Sequence, residues 1–364
     1  MERKLKELIA GIMPLDSDAL AAARARQDAL AKPPGSLGEL EEISIRVAGI
    51  TGRVCNKPEK KRIIVLCADN GVVEEGVSSA PRSVTAAQAM NMLRRRTGMS
   101  SMAKHFGNEV QVVDMGIAEP YNPTGILQRS LGKGTANFCH GAAMSREQCL
   151  QAILTGMELA AEAKRDGVDL IGVGEMGIGN TSSSSAVLCV LTGLSVEEVT
   201  GRGGGLTDAA FAKKKDVLRR AIAVNAPDKN DPIDVLSKVG GFDLAAMCGV
   251  FLGAARERIG VVIDGFISIV AALCAARLCP TAREYMFPSH ASFEIGYMAA
   301  ARELGLQPWM ALNMRLGEGS GCPIAFEVIS AACAAMSGMA LFGEEAAIDD
   351  GYLKEIREKD SFSL

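Results

Sequence analysis

Short apolar runs, rich in β-branched residues and ending on an acid or a glycine, alternate along this chain with longer alanine-rich stretches. The runs at residues 62–67, 110–113, 170–173, 260–263, 284–287 and 308–313 predict strands. Their apolar positions are consecutive, as in strands buried on both faces, and the helical stretches between them supply parallel crossovers. The fold class read from this pattern is α/β, an open parallel sheet covered by helices. The N-terminal part predicts helices instead: Ser17 caps a run through Ala31, and a second helix follows Lys32-Pro33-Pro34-Gly35-Ser36. Helical segments at 324–341 and 352–357 end the chain. A small helical lobe from about residues 1–40 and 341–364 is expected beside a large α/β part at about 60–340, all within a single unit spanning 1–364.

The residues that follow the predicted strands carry most of the candidate chemistry. They are Asp69-Asn70-Gly71, Asp114-Met115-Gly116, Glu175-Met176-Gly177, Asp264-Gly265, Ser289-His290 and Arg315-Leu316-Gly317-Glu318. Open α/β sheets bind ligands beyond the carboxyl ends of their strands, where the strand order reverses. These dispersed acids and glycines are therefore expected to converge on one crevice. Glu318 stands out, because Gly317, Gly319 and Gly321 surround it directly after the expected buried strand at 308–313. Glycine lets backbone approach a ligand closely, and a carboxylate in that setting suits a general base acting on an enclosed substrate.

Composition narrows the function classes. A chain of 364 residues, 48% of them hydrophobic, is long enough for one large α/β domain or two ordinary ones. A net charge of −4 with no basic stripe argues against a nucleic-acid partner. The longest apolar stretch, residues 261–279, is interrupted by Asp264 and Arg277 and cannot span a bilayer. The opening Met1-Glu2-Arg3-Lys4-Leu5-Lys6 leads into an amphipathic helix rather than a signal-peptide core, so a cytoplasmic protein is expected. Ten cysteines occur singly, as reduced core residues do, and His105, His140 and His290 lack metal-ligand spacing. Neither a protein-held metal nor another cofactor is implied.

Gly172-Val173-Gly174-Glu175-Met176-Gly177 matches the G-x-G-x-x-G of dinucleotide-binding turns. The acid expected about 20 residues on, at the end of a second strand, is missing, and Glu175 would repel a pyrophosphate. Residues 174–184 suit a phosphate or ribose better. Gly177 and Gly179 free backbone N–H groups, while Asn180, Thr181 and Ser182 add donors at a helix start. A second glycine turn, Gly201-Arg202-Gly203-Gly204-Gly205, precedes a helix carrying Lys213, Lys214 and Lys215. Two such turns and a lysine fit one phosphate monoester, although any single lysine in such a run more often belongs to a solvated helix face. Asp243 and Asp264 stand where a carboxylate serves a helix start as readily as a reaction.

Taken together, Lys32-Pro33-Pro34-Gly35-Ser36-Leu37-Gly38, Ala68-Asp69, Gly76-Val77-Ser78, Val84-Thr85, residues 174–181, 201–205 and 240–247, Asp264-Gly265-Phe266, Ser289-His290 and residues 314–321 resemble the nicotinate-nucleotide:dimethylbenzimidazole phosphoribosyltransferases. That family builds the lower-ligand nucleotide of cobalamin. The pieces run in family order from about residue 30 to the C-terminus. The resemblance implies a Rossmann-like sheet with a small helical lobe, usually dimeric, acting on nicotinate mononucleotide and an aromatic acceptor. It matches Glu318 to the catalytic base, Glu175 to a second acid, Lys214 to a lysine near the substrate phosphate and Ser292 to a serine of the nucleotide site. The substrate-binding positions expected with them are Gly177, Gly179, Asn180, Thr181, Gly203, Gly204, Gly205, Leu316, Ala80, Ala87 and Gln88.

On this resemblance, the pyridinium of the nucleotide makes nicotinate a good leaving group. The remaining task is to take a proton from the acceptor as it attacks C1 of the ribose, a step worth about 10²–10⁴-fold to a positioned base. Departures from the family pattern fall in the acceptor pocket. Asn70 replaces a common histidine, Ala80 replaces an aromatic residue before Pro81, and Ala87 stands where the family has glutamine, with Gln88 displaced by one position and so turned by about 100° on a helix. These departures motivate a phenolic acceptor, as in relatives that use phenol or p-cresol and work as a heterodimer of paralogous subunits. The chain could then be a homodimer or one half of such a heterodimer. Two other readings remain: a non-catalytic paralogous subunit that completes a neighbour's site, and an NAD-dependent oxidoreductase.

Overall fold

A computed structural model of the chain describes residues 1–343 together with Ala346, Ile348 and Gly351. Six strands, β1 (Lys61–Ala68), β2 (Glu109–Gly116), β3 (Leu127–Gln128), β4 (Leu170–Met176), β5 (Gly260–Ile263) and β6 (Met286–Pro288), form one sheet in the order β3-β2-β1-β4-β5-β6. Every pairing is parallel. The parallel α/β architecture expected from the apolar runs is therefore the observed one, and the order is that of the doubly wound Rossmann sheet. All residues of β1 and β5 are buried, which is why these strands carry no polar alternation.

The chain divides into two compact units, one of residues 1–13 and 60–325, the other of residues 14–59 and the described residues from Phe326 onward. The larger unit holds the sheet. Helix Phe242–Arg256 lies buried from Phe242 to Ala255 and, past Asp243 at its start, is apolar on every face up to Ala255, as a helix enclosed between layers must be. It packs on helix Arg146–Arg165 without side chains between the backbones: a Cβ on Gly156 would overlap the Ala246 carbonyl, and one on Gly249 the Ile153 carbonyl. In the smaller unit, helices Ser17–Ala29 and Glu39–Thr51 share a core of Ala23, Ile45, Ala48 and Met336. The N-cap of the first is Asp16, whose carboxylate accepts from Ala19 N–H at 2.9 Å, rather than Ser17.

One expected strand is absent. Residues 308–313 make a single bridge, His290 with Met310, and are half-buried or exposed. Trp309 donates to the Ser289 carbonyl, Ala291 to Met310 and Phe293 to Met314, a sequence that skips out of register. Pro308 lacks an N–H, and Asn313 adopts φ 53, so the ladder cannot propagate. The run expected at 284–287 begins instead as a 3-10 turn, Pro280–Tyr285, and pairs only from Met286. The helix expected at 352–357 lies outside the described residues.

Candidate active site

The strand order reverses between β1 and β4, and a cleft of ≈ 260 Å³ opens beyond the carboxyl ends of the strands. Of the strand-end acids, Glu175, Asp264 and Glu318 line it. Asp69 and Asp114 do not: Asp69 accepts from Thr85 Oγ1 at 2.8 Å and Ala118 N–H at 2.8 Å, and Asp114 from the N–H groups of Gly116 and Ile117 and from the Tyr121 hydroxyl. His290 is also buried away from the cleft, beside Ser289 Oγ at 3.0 Å.

The Glu318 loop is a tight backbone curl. Gly317, Glu318 and Gly319 adopt φ of 81°, 65° and 89°, three left-handed residues in succession, one of them bearing a side chain. A Cβ on Gly317 would overlap Glu175 Oε1, and one on Gly174 of β4 would overlap the Glu318 carbonyl. Glycine at these positions lets the curl sit directly on the strand end. Glu318 is 4% exposed. Its Oε1 accepts from Gln88 Nε2 at 3.4 Å and its Oε2 from Met99 N–H at 3.2 Å. Burial raises its pKa above the usual carboxylate value, while hydrogen bonds from Thr97 and Met99 oppose the rise.

Behind the curl lies a buried cluster of acids. Glu175 Oε1 accepts from Glu318 N–H at 3.2 Å, and Asn180 Nδ2 donates to both Glu175 Oε2 and Asp243 Oδ2. Asn180 thus ties two carboxylates together rather than facing the cleft only as a ligand donor. Burial, with Asp243 and Asp264 nearby, pushes Glu175 up to about 8. Burial likewise raises Asp243 to about 6 and Asp264 to about 7.

The other side of the cleft is built from the two glycine turns. Gly179, with φ 96, caps helix Asn180–Thr192, whose N-terminus and positive dipole end face the cleft with Gly177 and Thr181. Gly203, Gly204 and Ser292 also line it. Lys214 is fully buried, and its Nζ donates to Thr181 Oγ1 at 3.0 Å and the Gly201 carbonyl at 3.1 Å. Burial lowers its pKa to about 8, with Glu294 nearby favouring the charged form. Lys213 is exposed and Lys215 stacks on Phe211, so the middle lysine alone turns inward.

Most of the residues singled out in the sequence therefore meet here: Ala80, Gln88 and Leu316 join the two turns and both glutamates along the cleft. Two do not. Gly205 lies outside it: Gly203 is the residue of the turn that sits against Thr181, and the lining ends at Gly204. Ala87 is exposed on helix Ser83–Leu93, and the displaced Gln88 is the amide that reaches the site. Val84, Gln88 and Asn91 fall at i, i+4 and i+7, one helix face, and Asn91 Nδ2 donates to Gln88 Oε1 at 2.9 Å. The expected turning away of Gln88 is thus reversed. Ser79, Glu294 and Arg315 also line the cleft. Arg315 stood in the recognised loop, whereas nothing in the local sequence marks Ser79 or Glu294.

Comparison with known proteins places this geometry. A family model described as phosphoribosyltransferase matches residues 12–348. The nicotinate-nucleotide–dimethylbenzimidazole phosphoribosyltransferase of Clostridium perfringens is 49% identical over 358 residues, covering 98% of this chain and 99% of that protein. The protein of the same name from Clostridium tetani is 44% identical over 355 residues, 98% of each chain. A crystal structure of the corresponding Thermus thermophilus protein superposes with a TM-score of 0.86 at 36% identity, covering 93% of this chain and 100% of that one. Agreement of that breadth, along nearly the whole chain and on the same fold, makes this a phosphoribosyltransferase that belongs to the nicotinate-nucleotide–dimethylbenzimidazole phosphoribosyltransferase family.

Proposed function

We infer that the chain transfers the phosphoribosyl group of nicotinate mononucleotide to a benzimidazole-type base, releasing nicotinate and leaving an α-riboside phosphate for cobamide assembly. The names of its relatives support the two substrates. The observation that carries the reading is Glu318: a buried carboxylate with a raised pKa, held by Gln88 and Met99 at the cleft and aimed from a backbone curl. In this reading the acceptor lies against Gln88, Ala80 and Leu316. The nucleotide phosphate lies at the start of helix Asn180–Thr192, with Lys214 beneath Thr181 and Gly203 and with Ser292 opposite. Glu318 removes the N–H proton of the base as its other ring nitrogen attacks C1. The C1–N bond to nicotinate breaks with its electron pair going to the pyridine nitrogen, and attack opposite the leaving group inverts C1. A base worth about 10²–10⁴-fold is what a leaving group already activated by its positive charge requires.

Two of the three departures that favoured a phenol do not reach the acceptor side. Asn70 is buried, accepting from Ser183 Oγ at 2.7 Å, and Ala87 faces outward while Gln88 faces in. Only Ala80 alters the lining itself. The chain also carries its own base, both glycine turns and the lysine, which suits a catalytic subunit rather than a partner that completes another's site. Incubating the purified protein with nicotinate mononucleotide and, in turn, dimethylbenzimidazole, phenol and p-cresol tests the reading. Turnover of the benzimidazole is expected; turnover of the phenols alone would refute the acceptor assignment.

A further inference from the structure

Asp264 closes β5 and lines the cleft, yet the phosphoribosyl transfer gives it no step. Its carboxylate is directed at backbone. Oδ2 accepts from Gly319 N–H at 3.0 Å and Oδ1 from Gly321 N–H at 2.7 Å, and the residue is 2% exposed. Successive N–H groups of a left-handed curl form a concavity that binds anions. Here the concavity is filled by the protein's own carboxylates, Glu175 taking the N–H of Glu318 and Asp264 those of Gly319 and Gly321. Each side needs the other. A buried carboxylate is tolerated only while hydrogen-bonded, and a glutamate at φ 65 persists only where its surroundings enforce that conformation. Asp264 is itself seated by Ser268, whose Oγ accepts from Asp264 N–H at 3.2 Å and donates to the Val173 carbonyl of β4. The curl is thereby referenced to two neighbouring strands.

We propose that Asp264 is a positioning residue for the base: its carboxylate holds residues 317–321 in the conformation that aims Glu318 at the acceptor, an inference that rests on Glu318 being that base. Asp264→Asn keeps the shape but turns one acceptor into a donor facing a backbone N–H. Hydrogen exchange at the Gly319 and Gly321 amides is expected to accelerate at least about tenfold, and kcat to fall about 10–100-fold, the scale of a misplacement near 1 Å. KM for nicotinate mononucleotide is expected to stay within about threefold, since the nucleotide turns are untouched. Unchanged exchange, an unchanged kcat, or a loss confined to KM overturns the proposal, the last making Asp264 a ribose contact. If D264N does not fold, exchange in the unmodified protein carries the test: strong protection at Gly319 and Gly321 is expected, and rates of unprotected amides refute it. Glu318→Gln separates the two inferences. Activity retained in E318Q removes the base assignment, whereas the exchange result in D264N stands for the loop by itself.

Discussion

Glu318→Gln is the sharpest test of the chemistry, because it removes the proton acceptor while keeping the shape of the curl. An amide at 318 can retain the hydrogen bond from Met99 N–H. Its NH2 would then meet Gln88 Nε2, whose own oxygen is engaged by Asn91, so one interaction at 3.4 Å is lost. That loss is worth about 1 kcal/mol, small against the stability of a chain of this size. The catalytic loss is larger. A base contributing about 10²–10⁴-fold corresponds to about 2.7–5.4 kcal/mol of barrier. The fall should appear in kcat and in kcat/KM equally, with KM for both substrates little changed, since the interaction exists only as the proton moves. Protonation adds a second signature. Burial raises Glu318 above its ordinary 4.5, and only the deprotonated form accepts a proton. The wild-type rate should therefore be lost as pH falls through that raised value and regained above it, and E318Q should lack this acid limb. Steady-state release of nicotinate, followed by chromatography across the pH range, measures both. A kcat within tenfold of wild type, or an acid limb that persists in E318Q, would refute Glu318 as the base.

Lys214→Met keeps the buried bulk and removes the ammonium, so KM for nicotinate mononucleotide should rise about tenfold or more, the worth of a charge-assisted hydrogen bond. In the wild type the lysine is charged below about 8, so KM should climb as pH rises through that value and stay flat in K214M; a flat wild-type profile would count against a phosphate role. Ala80→Phe restores an aromatic wall to the cleft and should lower KM for dimethylbenzimidazole about 2–10-fold, from the roughly 0.5–1.5 kcal/mol of an aromatic contact; no change in KM places the acceptor elsewhere. Gly156→Ala forces a methyl into the Ala246 carbonyl and should cost about 1–3 kcal/mol by denaturant unfolding, and an unaltered midpoint would mean that the two helices separate freely.

How much of this was legible in the sequence depended on whether the signal was local. The strands β1, β2, β4 and β5 were readable because burial on both faces writes itself as consecutive apolar residues. Trp309-Met310-Ala311-Leu312 carries the same signal falsely. Its apolar side chains stay half-buried or exposed, and the flanking Pro308 and Asn313 decide the backbone. β3, with two residues, carries no signal at all. Lys214 carries a legible periodicity: with Val217, Leu218 and Ala221 it falls at i, i+3, i+4 and i+7, the buried face of helix Asp208–Asn225. A lysine on an apolar stripe, between two lysines off it, is distinguishable from a solvated run by spacing alone. Gln88 failed for the converse reason, since its direction was inferred from an offset to the family pattern rather than from the face that Thr85, Ala89 and Met92 already define.

The acids divide along the same line. That Glu318 sits in a curl follows from its glycine neighbours, but what holds the curl does not. Asp264 and Glu175 meet it from 55 and 143 residues away, and a carboxylate that will be spent on backbone N–H groups looks in sequence the same as one that will face substrate. Asp69 and Asp264 follow strands, Asp114 lies near the end of one and Asp243 opens a helix, and geometry alone sorts them. That sorting shows how the buried acids are accommodated: their oxygens take hydrogen bonds from the chain, and burial favours the neutral form of Glu175 and Asp264, whereas the donors to Glu318, Gln88 and the Met99 N–H, reach it from two helices rather than from the strand ends. The proposed base is then set apart by what surrounds it and not by being the most perturbed acid, since Glu175 is shifted to about 8 yet lies tied to Asn180 and the Glu318 backbone. Perturbation marks where burial is deepest; access to a ligand proton marks where the chemistry can occur.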